Sequence, residues 1–335
     1  MLNLSIWSCN AINSLDQVRN KIFTNGYIRN TAPSEDDERI YMHKIYNKPE
    51  FEQNNTIIVN SEEIKFLVCN VRIEWLKREW DNSISSQSGI GSFEKEVIFY
   101  EYNGCVKLLI IAARTNALKI KRDIFKEEVW GEIVESNYIN EDLLYWLFYR
   151  LHNFELTEEL SPNSGLYLTG LKSYMGKTRD EVNAVRGSGV RISALLGTLS
   201  FIFNNEDLRA LRPEFQYNGS LIVTELNKNN VNRLVEKSCM GQFDEYDDEK
   251  RNIAILIFTA NVIIPKIQEC YQESLNNNTW SIDIKLTFFQ EIGRTIRSAV
   301  DTELQRIEQQ RDHVNVEFNE DDVDEEIDNE EFIEE

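Results

Sequence analysis

The segment Arg212-Pro-Glu-Phe-Gln-Tyr-Asn-Gly-Ser-Leu-Ile-Val-Thr-Glu-Leu-Asn-Lys228 holds the residues best suited to chemistry. Asn218-Gly219 is the preferred pair for a two-residue hairpin turn, because both positions need positive φ. A turn there pairs Tyr217 with Ser220, Gln216 with Leu221, Phe215 with Ile222, Glu214 with Val223 and Arg212 with Glu225. Cross-strand partners project to one side of a sheet, as do residues two apart, so Glu214 and Glu225 lie diagonally on one face, about 5–8 Å apart. Two carboxylates at that separation can share Mg²⁺ or another hard cation, which polarises a phosphodiester and helps form hydroxide from bound water. A nearby ammonium stabilises the charge that develops. The same register allows a plainer use: Arg212 closes on Glu225 as a cross-strand ion pair and Glu214 stays solvated.

This pattern resembles that of the PD-(D/E)xK nuclease superfamily, in which an acid follows Pro and a hairpin leads to an apolar strand ending in acid-x-Lys. The resemblance covers residues 212–228 of the 335. It implies a metal-dependent nuclease with Glu214, Glu225 and Lys228 as catalytic residues and Glu214 and Glu225 as Mg²⁺ ligands. The chain departs from the pattern in two places. The first acid is Glu where Asp is more usual, and Asn227 occupies the Lys position, with Lys228 one place later on the opposite side of a regular strand. A bulge after Leu226 brings Lys228 round to the acids. Without one, the resemblance implies a degenerate nuclease-like domain kept for binding or assembly.

Two basic islands could meet phosphate. Between Lys107 and Lys126, Lys107, Arg114, Lys119, Lys121, Arg122 and Lys126 stand against Asp123 alone; between Lys172 and Arg191, Lys172, Lys177, Arg179, Arg186 and Arg191 stand against Asp180 and Glu181. The second island includes Arg186-Gly-Ser-Gly189 just ahead of an expected helix, so free amides and a positive helix end could face an anion there. The expected phosphate contacts are Lys172, Lys177, Arg179, Arg186, Arg191, Lys119, Lys121 and Arg122. The alternative is a connector with solvated charges. Gly170 to Thr178 approaches a nucleotide-binding P-loop, but five residues separate its glycines where the phosphate nest needs four.

The elements that must position these residues read as follows. Leu2 to Ser8 alternates like a strand, Asn13-Ser14 caps a helix, and Val97–Tyr102 and Cys105–Ala113 form a hairpin about Asn103-Gly104. Asn140 caps an amphipathic helix through Leu151, and Ser161-Pro-Asn-Ser-Gly165 reads as a connector. Beyond it, helices are expected over 192–203, 250–273 and 284–311, interrupted by the hairpin at Asn218-Gly219. The expectation is a mixed α+β protein: an N-terminal α/β domain at 1–160, a helix-rich domain with one hairpin at 161–316, and a disordered acidic tail at 317–335.

Composition narrows the function classes. The chain carries 57 acidic and 36 basic residues, a net charge of −21, and 41 % hydrophobic residues, enough for a core. Residues 317–335 hold 12 carboxylates and no Lys or Arg, which leaves −9 on the rest. Such a block cannot bury enough apolar surface to order itself. The five cysteines are widely spaced without a Cys-x-x-Cys pair, arguing for free thiols and against structural zinc. The apolar run 253–264 falls short of a membrane span, and the N-terminus lacks an export signal, so an intracellular, cytoplasmic protein is expected. The leading expectation is a protein that binds or processes nucleic acid, as a working or degenerate nuclease-like subunit; defence against phage suits that class. The alternative is a non-enzymatic scaffold, a homo-oligomer or subunit of a larger complex, joined through the apolar stripe Phe289, Ile292, Ile296, Val300, Leu304 and Ile307.

Overall fold

A computed structural model of the chain describes residues 1–32, 39–51, 55–77, 89–136, 139–180, 182–189 and 195–320, without the side chains of 311–320. In chain order the elements are β1 (Leu2–Cys9), α1 (Leu15–Asn25), β2 (Tyr27–Thr31), β3 (Ile40–Asn47), β4 (Asn55–Val59), β5 (Glu62–Leu76), β6 (Ile90–Tyr102) and β7 (Cys105–Ile110). There follow α2 (Arg114–Asp123), α3 (Glu127–Trp130), β8 (Ile133–Glu135), α4 (Glu141–Asn153), β9 (Leu166–Lys177), β10 (Ala184–Ser188) and α5 (Leu196–Phe203). The last are β11 (Asp207–Tyr217), β12 (Ser220–Asn227), β13 (Asn232–Leu234), α6 (Asp248–Phe258), α7 (Ile264–Asn276) and α8 (Ile282–Glu320). The protein is a mixed α+β fold built on a 13-stranded antiparallel sheet, ordered β10-β9-β11-β12-β13-β1-β7-β6-β5-β3-β2, with β4 added to β5 and β8 to β1.

Two compact units emerge: Met1–Ser193 with Glu206–Ser281, and Ala194–Asn205 with Ile282–Glu335. The sheet lies wholly in the first; α5 and α8 form the helical part of the second. The boundary expected near residue 160 falls inside the first unit, whose sheet continues through β9.

β1 joins the two halves of the sheet. Its residues Leu2–Leu4 pair with β13 and Ser5–Cys9 with β7, while Trp7–Cys9 also pair with β8 on the edge opposite β7. The Asn-Gly turns form as expected, with φ of 51° and 73° at Asn103 and Gly104 and of 46° and 73° at Asn218 and Gly219. Trp7, Cys9, Val71, Ile73, Val97, Phe99 and Ile110 face a core closed by Val18 of α1 and Ala117 and Ile120 of α2. Trp130 stacks on Phe99 at 5.7 Å and meets Phe125 edge-on at 5.0 Å. Each such fully buried aromatic contributes roughly 2–3 kcal/mol from apolar burial. Ser14 caps α1 at Gln17 N, and Asn140 caps α4 at Leu143 N, both as their positions in sequence predict.

The C-terminal half departs from the single hairpin expected there. Residues 166–177, which include the P-loop-like stretch, are strand β9, and β10 pairs back on it from Ala184↔Lys177 to Ser188↔Ser173. The helical run Asp248–Asn276 is 29 residues long and apolar enough to cross a membrane by length and composition, and 72 % of its most apolar window is buried within the fold. A π turn at Thr259–Ile263 interrupts it just before Pro265. Pro has no N–H for the i−4 carbonyl, so the helix widens there. The buried Tyr100 hydroxyl donates to Asn261 Oδ1 at 3.0 Å in that turn. α8 runs on through Glu317 to Glu320, so the acidic segment begins as helix rather than coil; 321–335 lie outside the described residues.

Candidate nucleic-acid interface

The sheet half formed by β9 to β13 has two unlike faces. On the back, Leu147, Phe148 and Leu151 of α4 pack against Leu168, Leu171, Leu211 and Pro213. The front carries charge, and two β-bulges in β9 build it. Arg212 pairs with Ser173 but Pro213 with Leu171, so Lys172 is an extra residue; Glu214 pairs with Gly170 but Phe215 with Leu168, so Thr169 is another. A bulge turns its extra side chain to the face of its neighbour. Thus Leu168 and Leu171 stay on the apolar back while Thr169 and Lys172 reach the front. There Lys172 Nζ lies 2.7 Å from Glu214 Oε2, and Thr169 Oγ1 donates to Glu214 Oε1 at 3.1 Å.

The β11–β12 register is the one the sequence implies, from Ala210↔Asn227 to Tyr217↔Ser220. Arg212 consequently faces Glu225 and donates from Nη2 to Oε2 at 2.6 Å. On the other flank β13 pairs Arg233 with Glu225, and its Nη1 stands 3.3 Å from Oε1. The Glu225 side chain is 4 % exposed, so the carboxylate is enclosed between two guanidiniums. A buried carboxylate is tolerable only when it is paired in this way.

Lys228 goes elsewhere. Its ammonium bonds Asp207, with Glu141 Oε2 at 4.0 Å, and Arg209 Nε donates to the other oxygen of Asp207 at 2.6 Å. Burial alone would raise the Asp207 carboxyl, but the hydrogen bonds from Lys228 and Arg209 outweigh it and hold the group below the usual carboxylate range. No bulge follows Leu226 in the β11–β12 pairing, which is regular through Leu211↔Leu226 and Ala210↔Asn227. The ammonium beside Glu214 is therefore Lys172, supplied by the strand on the far side of β11. Among the described residues no three His, Cys, Asp or Glu side chains gather as a metal-holding group. Glu214 and Glu225 are each neutralised by cations, so a divalent ion at this face would first have to displace Lys172 and an arginine.

The second basic island joins the same face. Ser188, Ser173, Arg212, Glu225 and Arg233 form one transverse row across five strands. Arg186 and Lys177 are two and four residues from members of that row on their own strands, so they share its side. Arg186 lies exposed on the edge strand β10, and neither it nor Lys177 has a side-chain partner among the described residues. Arg179 lies in the β9–β10 connection, where its backbone N–H donates to Glu206 Oε2 at 2.7 Å. Arg191 lies outside the described residues. Lys172, Lys177, Arg186, Arg212 and Arg233 thus stand against Glu214, Glu225 and Asp207, the register partner of Lys177 that Lys228 and Arg209 already hold.

The first island is separate, at the β5–β6 end of the sheet. Lys119 Nζ sits 4.1 Å above the Trp75 ring and 5.7 Å from Phe93, and desolvation there lowers its pKa. Arg122 is held by Asp123 through bonds of 2.6 and 2.9 Å, and Lys121 projects from the same helix. Gly91 makes room for Trp75, since a Cβ there would meet the indole at 2.6 Å. Sequence reasoning missed Arg233 and Thr169 in the first cluster and Trp75 in the second. Arg233 sits in a three-residue strand with no periodicity to betray it. No family model and no curated protein matches the sequence.

Proposed function

We propose that this chain is a nuclease-like subunit that binds the phosphate backbone of nucleic acid on the front face of β9 to β13 without cleaving it. One observation carries the reading: Glu225 is enclosed by Arg212 and Arg233 and Glu214 is neutralised by Lys172, leaving Arg186 and Lys177 as uncommitted cations beside them. Carboxylates paired in this way give a face suited to phosphate oxygens, which guanidinium groups bind well. The β10 edge gives a backbone-following ligand open access to Arg186 and Lys177.

The test is fluorescence anisotropy with labelled single- and double-stranded DNA and RNA over a salt series, alongside a Mg²⁺ cleavage assay on the same substrates. Binding should weaken as salt rises, because phosphate contacts release counterions. Lys177→Glu with Arg186→Glu should weaken it about tenfold or more and flatten the salt slope by about two phosphate contacts. Absence of binding at low salt refutes the proposal. Mg²⁺-dependent cleavage that Glu225→Gln abolishes refutes the non-cleaving part.

A further inference from the structure

Beyond nucleic-acid binding, the second unit presents a surface of its own. α8 spans 39 residues, about 58 Å at 1.5 Å per residue, whereas its partner in that unit, α5, spans 8. The two meet near Gly293, which lies against the Phe203 ring, and Phe288 and Ile292 are buried. From Arg297 to Gln310 every residue is exposed. That stretch continues an apolar stripe: Val300 is 41 % exposed, Leu304 53 % and Ile307 51 %. With Ile296 they recur at spacings of four, four and three, a seam that another helix fills. Helices in proteins gain most of their stability from packing an apolar face rather than from propensity, and this part of α8 packs on nothing among the described residues.

We propose that α8 pairs with α8 of a second copy of this chain, antiparallel and two-fold symmetric. Antiparallel pairing stacks Ile296 on the partner copy's Ile307 and Val300 on its Leu304, and symmetry repeats both layers, so the seam is complementary to itself. The charges choose the direction. Arg294, Arg297, Asp301 and Glu308 border one side of the stripe and Glu303 the other. Arg294, Arg297 and Glu308 have no ion-pair partner among the described residues, while Glu303 holds Arg306 at 2.6 Å. Antiparallel packing apposes like sides: it brings Arg294 and Arg297 of each copy to Glu308 of the other, attractions that parallel packing lacks, and at the two-fold axis it also sets Asp301 against Asp301 and Glu303, already held by Arg306, against Glu303. Parallel packing apposes unlike sides and sets Glu308 against Glu303, a repulsion.

The test is light scattering behind size-exclusion chromatography, and sedimentation equilibrium, on the full chain under reducing conditions over a concentration series. The expected mass is twice 39.3 kDa at high concentration. Leu304→Asp, at an exposed position, should raise the dimer dissociation constant at least about tenfold while circular dichroism confirms the fold. Glu308→Arg separates the orientations: it weakens an antiparallel pair, and Arg294→Glu with Arg297→Glu in the same chain restores it, whereas it tightens a parallel one. A monomer at every concentration, a dimer indifferent to Leu304→Asp, or a dimer tightened by Glu308→Arg each overturns the proposal. Nucleic-acid binding by a Leu304→Asp monomer is read separately, so failure here leaves the front-face reading intact.

Discussion

Removing Arg212 should cost the first unit far more than an ordinary ion-pair deletion. Glu225 is 4 % exposed and Arg212 18 %, so both ends of the 2.6 Å contact lie out of water. Deleting one partner of such a pair typically destabilises by about 3–5 kcal/mol, because the remaining charge is buried without compensation. Arg233 keeps its 3.3 Å contact to the other oxygen and is 40 % exposed, so it retains part of the compensation. We therefore expect Arg212→Met to lose about 2–3 kcal/mol, a fall in Tm of roughly 5–10 °C for a unit of this size. Arg233→Met should lose about 1 kcal/mol, because solvent screens its contact. The double variant Arg212→Met with Glu225→Leu should recover to within about 1 kcal/mol of the parent, since apolar replacement of a buried pair is close to neutral. Thermal and urea melts followed by circular dichroism provide the measurement. If Arg212→Met melts with the parent, or the double variant is no more stable than the single, Glu225 does not depend on that guanidinium and the reasoning fails.

Other expectations follow from the same geometry. Lys228 and Arg209 depress the Asp207 carboxyl, so its pairing contributes stability above the ordinary carboxylate pKa of about 3.9 and loses it as pH falls through the depressed value. Lys228→Met should thus cost about 0.5–1 kcal/mol at pH 7, with the gap to the parent closing in acid; a gap constant from pH 7 to pH 2 counts against the pairing. Of the five thiols only Cys105 is exposed, while burial pushes Cys9 up to about 12 and Cys239 to about 11. Ellman's reagent at pH 8 should therefore titrate one thiol quickly and five after denaturation; a second fast thiol would contradict the packing. Gly91→Ala drives a methyl into the Trp75 indole and should cost about 1–3 kcal/mol, with a shift in tryptophan emission as Lys119 loses its ring. An unchanged spectrum and melt would show that the indole moves aside freely.

Much of the scaffold was legible because its signals are local. Asn103-Gly104 and Asn218-Gly219 each specify a tight turn through positive φ, and a two-residue turn then dictates the register of the strands it joins. Ser14 and Asn140 mark helix starts for the same kind of reason, by offering an acceptor to amides that would otherwise lack one. The sheet order is not local. That β1 takes β13 on half of one edge and β7 on the other depends on pairings about a hundred residues apart or more, which periodicity within a strand does not encode. The membership of α5 in the same compact unit as α8, with β11 to α7 between them in the sequence, is hidden for the same reason.

The candidate site shows where local reasoning reaches its limit. The diagonal of Glu214 and Glu225 and the approach of Arg212 both followed from one turn, yet the ammonium beside them came from a strand that did not read as one. Residues 166–177 run Leu, Tyr, Leu, Thr, Gly, Leu, Lys, Ser, Tyr, Met, Gly, Lys, and the alternation breaks at Thr169 and Lys172, where the bulges fall. The irregularity that concealed β9 is also what carries Thr169 and Lys172 to the charged face, since in a regular strand Leu168 and Leu171, three residues apart, would point to opposite faces. A sequence resembling a nuclease motif with its Lys displaced can therefore place a Lys beside its acids by a bulge in a neighbouring strand. On the proposed reading, what favours phosphate over a cation at this face is the guanidinium count around Glu225, and Arg233, from a three-residue strand, supplies the second.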